Sequence, residues 1–165
     1  QICLNSHVRT IMALTTFSGP VKSTNGFISP SAVSLTADTT LTVNDHSGRV
    51  LVTNDADGKF TLPTITADNI GCTYTFIVDT AATDMDILTD GTDKFVGTAF
   101  VHAGSGANSK AFVPGASNDV ITMNGSTKGG VAGTKVIIVA MAIAKYHVLG
   151  NLSGSGTVAT PFADA

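Results

Sequence analysis

Beyond residue 31 the chain breaks into short runs of strand character. Ala32-Val33-Ser34-Leu35 and Thr40-Leu41-Thr42-Val43 alternate apolar with polar side chains around Ala37-Asp38-Thr39. A period of two places successive side chains on opposite faces of a strand, so both runs predict strands with one face on a core. Arg49-Val50-Leu51-Val52-Thr53 and Lys59-Phe60-Thr61-Leu62 follow, separated by Asn54-Asp55-Ala56-Asp57-Gly58. The Asp-Gly end of that separator predicts a tight hairpin with positive φ at the glycine. Pro63 stops the second strand, and Tyr74-Thr75-Phe76-Ile77-Val78 begins another after a turn at Asn69-Ile70-Gly71.

Met85, Ile87 and Leu88, set among the aspartates of residues 79–93, predict a short strand with acidic edges; residues 95–101 and 119–123 predict two more. Val136-Ile137-Ile138-Val139 is apolar at every position, the pattern of a strand covered on both faces. A buried helix is the rival reading, and the β-branched density favours the strand. Residues 145–149 then return as its hairpin partner. Glycine-dense stretches at 102–109, 125–133 and 150–156 read as loops, and Pro161 and Phe162 anchor the tail at 157–165. Strands of this length and spacing predict an all-β fold, a β-sandwich or jelly-roll-like domain over residues 31–165. No internal period of a solenoid or propeller is visible.

Residues 1–30 differ in texture. Leu14, Phe17, Val21, Phe27 and Ile28 are isolated among Gly19-Pro20 and Asn25-Gly26, too irregular for a helix and too broken for a central strand. The segment predicts an extended N-terminal arm whose apolar residues bind a partner; a strand-turn-strand on the domain's own sheet is the alternative, against which Pro20 and Pro30 weigh. Met12-Ala13-Leu14-Thr15 reads like a translation start, which leaves residues 1–11 as either an upstream extension or a remnant foreign to the natural product. They lack the apolar core of a secretory signal.

Composition supports the strand reading. All 12 acidic residues are Asp, neither Glu nor Trp occurs, and Thr makes up roughly one residue in seven, a bias away from helices. Charged residues are 13% of the chain, against about a quarter in ordinary domains, which predicts a neutral exterior given over to hydroxyl groups or to neighbouring subunits. A net charge of −3 with Lys and Arg scattered singly argues against direct nucleic-acid binding. The greasiest run, residues 136–144, falls well short of the ~20 residues that span a bilayer, so no membrane partner is expected. Cys3 and Cys72 lie far apart; free thiols, as in a reducing cytoplasm, are expected over a bridge from tail to body.

Catalytic material is scarce. His7, His46, His102 and His147 occur in unrelated contexts, and Asp45-His46-Ser47 is an adjacency where a triad requires geometry. Gly104-Ser105-Gly106 and Gly154-Ser155-Gly156 lack the spacing of a nucleophile elbow, and Lys128-Gly129-Gly130 lacks that of a phosphate loop. Asp55 and Asp57, with Asp84, Asp86 and Asp90, are the one calcium idea, weakened by the absence of a bidentate Glu. The expectation is a protein with no catalytic residues, metal or cofactor.

The pieces Phe17-Ser18-Gly19-Pro20-Val21-Lys22-Ser23-Thr24-Asn25-Gly26-Phe27 and Gly150-Asn151-Leu152-Ser153-Gly154-Ser155-Gly156-Thr157 flank a Thr-rich body with Phe60-Thr61-Leu62-Pro63 and Tyr74-Thr75-Phe76-Ile77. In this texture, over most of residues 13–162, the chain resembles the capsid decoration, or cement, proteins of tailed bacteriophages, those of marine phages in particular. The resemblance implies a β-sandwich or jelly-roll protomer, commonly a homotrimer, clamping major capsid protein on the outside of the phage head after assembly in the host cytoplasm. It offers no catalytic residues. The rival is a tail, fibre or baseplate module that binds the host surface, with the loop at 102–109 as its contact. A carbohydrate- or calcium-dependent adhesin fits less well, because sugar platforms rely on stacked rings.

Overall fold

A computed structural model describes residues 32–104 and 109–165. The chain is all-β: two mixed sheets enclose one core. Its first half winds between them. The strands β1 (Val33–Leu35), β3 (Val50–Thr53) and β5 (Thr73–Val78) lie side by side in one sheet, while β2 (Thr39–Thr40), β4 (Lys59–Thr61) and β6 (Met85–Leu88) lie side by side in the other. Each strand is parallel to the one above it, with Val33 opposite Leu51 and Leu51 opposite Phe76 on one side, Thr39 opposite Phe60 and Phe60 opposite Ile87 on the other. Three stacked coils result.

The second half pairs mostly antiparallel. β10 (Lys135–Ala142) and β11 (Lys145–Gly154) form the expected hairpin and attach to β5, β7 (Lys94–Ala103) runs parallel to β11, and β8 (Lys110–Phe112) closes that edge. The larger sheet thus has the order β1-β3-β5-β10-β11-β7-β8. β9 (Val120–Met123) and β12 (Phe162–Ala163) complete the smaller one beside β6. Five of the ten strand pairings are parallel, which departs from the antiparallel order of a jelly roll.

Inward side chains from both sheets meet in the core. Phe76 and Phe60 face each other across it with ring centroids 6.2 Å apart, and Phe95 packs on Tyr146 at 6.4 Å. Leu51, Ile87, Ile121, Ile138 and Val148 are fully buried around them.

Three expectations need correction. β3 and β4 belong to different sheets, so residues 54–58 form a corner between sheets where a hairpin was predicted. Asn54 holds this corner by donating from its backbone to Leu35 O (2.8 Å) and from Nδ2 to Ser34 Oγ (2.8 Å). Gly58 has no positive φ; it is needed because a Cβ there would stand 2.7 Å from the Phe60 ring. Secondly, the strand at 40–43 stops at Thr40, since Thr42 Oγ1 accepts from Asp45 N (3.2 Å) and caps a single helical turn, α1 (Val43–His46). Thirdly, β11 continues through residues 150–154, which were expected to be loop. Its inward glycines reflect want of space: a Cβ on Gly154 would lie 2.1 Å from Ser126 O. Cys72 is half-buried against the core and free.

Candidate interaction face

The same alternation that fills the core sends every second side chain of the larger sheet outward, and the register aligns these into rows. One row reads Val50, Thr75, Ile137, Leu149, Thr98; the next reads Val52, Ile77, Lys135, Asn151, Phe100. A third reads Thr73, Val139, His147, Val96. Leu149 is 58% exposed, Phe100 and Val50 each 39%, and Ile137 and Val139 are half-buried. Phe100 stacks at an angle on His102, centroids 4.5 Å apart, at the β7 rim.

β10 therefore differs from its expected environment. Val136, Ile138 and Ala140 enter the core, but no third layer lies over Ile137 and Val139 among the described residues. The apolar run signalled cover on two sides, and the described fold supplies it on one.

Charge is distributed as unevenly as exposure. None of the twelve aspartates lies in the seven strands of this sheet. Lys135 and Lys145 are the formal charges presented outward, because Lys94 turns to the sheet's end, where its Nζ donates to Asp119 Oδ2 at 2.7 Å and Gly91 O at 2.8 Å. The outer face of the smaller sheet is acidic by comparison. There, Lys59, Lys128, Asp84, Asp86 and Asp164 surround a shallow hollow of about 470 Å³.

Of the remaining acidic residues of 79–93, Asp79 is exposed directly after β5, and Asp90 and Asp93 tie the β6–β7 crossing. Asp90 Oδ1 accepts from Thr92 N (2.9 Å), Asp93 N (2.9 Å) and Thr92 Oγ1 (2.8 Å), while Asp93 Oδ2 accepts from Ile65 N at 2.8 Å. Partial burial raises the Asp90 carboxyl, but these donors outweigh it and hold the group down to about 2. Asp93, almost fully buried, is raised by desolvation and by the neighbouring Asp90 charge. Asp119 is also opposed by burial, yet the Lys94 and Ala165 N–H bonds leave it below its ordinary value. The carboxylates of Asp90, Asp93 and Asp119 are thus each committed to a turn or a strand end.

The other sequence candidates fall apart in space or beyond view. His46 Nδ1 accepts from Thr42 N (3.0 Å) within its own helical turn. Asp55 and Asp57 sit at the corner, Asp84 and Asp86 beside the hollow, and Asp90 at the β6–β7 turn; among the described residues no three potential ligands converge as a metal site. Leu14, Phe17, Val21, Phe27 and Ile28 lie outside the described residues, as do Cys3 and the centre of the 102–109 loop. Among the described residues no helix is long and apolar enough to cross a membrane. No family model matches the chain, and neither a curated protein nor a solved structure does.

Proposed function

We propose that this chain is a non-enzymatic structural protein of a phage virion, a decoration protein that binds the major capsid protein from outside the head and stabilises the shell as a homotrimer. The observation that carries this reading is the outer face of the larger sheet, apolar and hydroxyl-rich, half-exposed, and without a carboxylate. A patch of this kind marks a binding surface more often than a solvated one. A shell offers the same site many times, so modest contacts per copy add up through linked subunits. The arm at residues 13–30, with Leu14, Phe17, Val21, Phe27 and Ile28, supplies a second contact in which an extended segment adds main-chain hydrogen bonds and its phenylalanines fill pockets.

Deleting residues 1–28 tests the reading. The truncated chain should remain folded and trimeric by sedimentation and should no longer decorate heads in a pelleting assay. Decoration at undiminished occupancy would remove the arm from the mechanism. Copy number in the intact virion discriminates the tail or fibre alternative: hundreds of copies support decoration, a handful refute it.

A further inference from the structure

We infer that the shell-facing surface of the body is the outer face of the larger sheet, and that it fits a partner surface presenting carboxylates around an apolar centre. This rests on the decoration reading and specifies its contact. Two observations choose the occupant. The row Val50, Thr75, Ile137, Leu149, Thr98, flanked by Val52, Ile77 and Phe100 of the next row, makes an apolar and threonine-lined centre five strands wide, with Lys135 and Asn151 breaking the second row over β10 and β11. At about 4.8 Å between strands and about 6.8 Å between outward side chains, the centre covers on the order of 330 Å². At its margins stand Lys135 and Lys145 with His147 and His102; its strands carry no carboxylate, and the exposed Asp79 follows directly after β5.

A second copy docking through the same face is disfavoured by that asymmetry. A twofold contact is self-complementary and would set Lys135 and Lys145 against an equally cationic surface, with no carboxylate in the strands to meet them and only Asp79 beyond the end of β5. An acidic surface meets the lysines at the rim while the apolar centre excludes water. Leu149, the most exposed apolar residue of the rows, and the Phe100–His102 pair are the anchors such a contact needs. An area near 330 Å² is roughly two fifths of the ~800 Å² that each partner contributes to a standard interface, so the face acts together with the arm.

The test uses the full-length chain and phage heads lacking it, with pelleting at low and high salt. Leu149→Asp should weaken binding at least tenfold with the thermal midpoint unchanged. Lys135→Glu combined with Lys145→Glu should weaken it strongly at low salt, and wild-type binding should fall as salt rises. Variants that bind like wild type overturn this inference while leaving decoration standing. Wild type that binds no heads overturns the decoration reading and this inference with it. If Leu149→Asp instead breaks the protein's own oligomer in sedimentation velocity, the face joins copies of the chain and the acidic partner is refuted.

Discussion

Two tyrosines of similar burial are used differently. Tyr146 is fully buried and its hydroxyl donates to Pro63 O, linking β11 to the residue that ends β4's strand run. Tyr74 is equally buried, its phenol pushed up to about 12 by desolvation, yet among the described residues its hydroxyl has no hydrogen-bond partner. A buried hydroxyl without a partner keeps its desolvation cost, whereas breaking a bond strands the acceptor as well. Tyr74→Phe should leave the denaturation midpoint unchanged or raise it, while Tyr146→Phe should cost about 1–3 kcal/mol. Equal losses in urea titrations would disprove the contrast. Asp90 gives a pH test. Its folded value of about 2 lies below the ordinary 3.8, so its stabilisation is complete above that ordinary value and is lost as pH falls towards 2. Asp93, raised in the fold, works in the opposite direction on acidification. Asp90→Asn keeps an acceptor oxygen but loses the charge. Its midpoint should lie below wild type at pH 6 and converge with it near pH 2; a constant gap between the two would show that the charge is not responsible. Because Asp90 is largely exposed, the gap should be small.

At the scale of elements, the alternation of side chains was a sound guide to strands and a poor guide to neighbours. Leu51, Phe60, Phe76 and Ile87 each fell in a predicted strand and each is buried, while apolar neighbours such as Val50, Val52 and Ile77 concealed which face of those strands turns inward. Nothing in a period of two says whether the next strand lies in the same sheet, so the Asp-Gly ahead of Phe60 read as a hairpin when the chain was crossing to the opposite sheet. Glycine misled in the same manner. Gly150 and Gly154 read as loop, but they are inward positions of β11 where side chains of Leu152 and Ala99 or the Ser126 backbone leave no room for a Cβ. Packing of that kind depends on partners distant in sequence. Thr42 was a missed local signal, since a Thr three residues before Asp45 is a helix-cap arrangement visible in the sequence. The outer face was half legible: the unbroken run 136–139 announced two covered faces, while the absence of carboxylates from the sheet emerged only once distant strands were placed side by side.

For the molecule as a whole, the consequence lies in the winding. Among the described residues β1 pairs only with β3 and β2 only with β4, so there the first coil touches the rest through a single layer of neighbours. Stacked coils of this kind contribute stability largely through nearest-neighbour interfaces, and a terminal coil can be removed without unravelling those behind it. The remaining core is locked by the β10–β11 hairpin and by β7, which have no counterpart in the first coil. A chain beginning at residue 49 should therefore still unfold in one cooperative transition with the circular dichroism of a β-protein. Relative to a chain beginning at residue 32 it loses the burial of Leu35 and Leu41, which at about 1.5–3 kcal/mol per leucine amounts to roughly 3–6 kcal/mol and a lower melting temperature. If the shorter chain melts without a cooperative transition, the first coil belongs to the folding core and the stacking account is wrong. If it melts as well as the longer one, Leu35 and Leu41 contribute no net burial, and the coil serves to cap the exposed edges of β3 and β4.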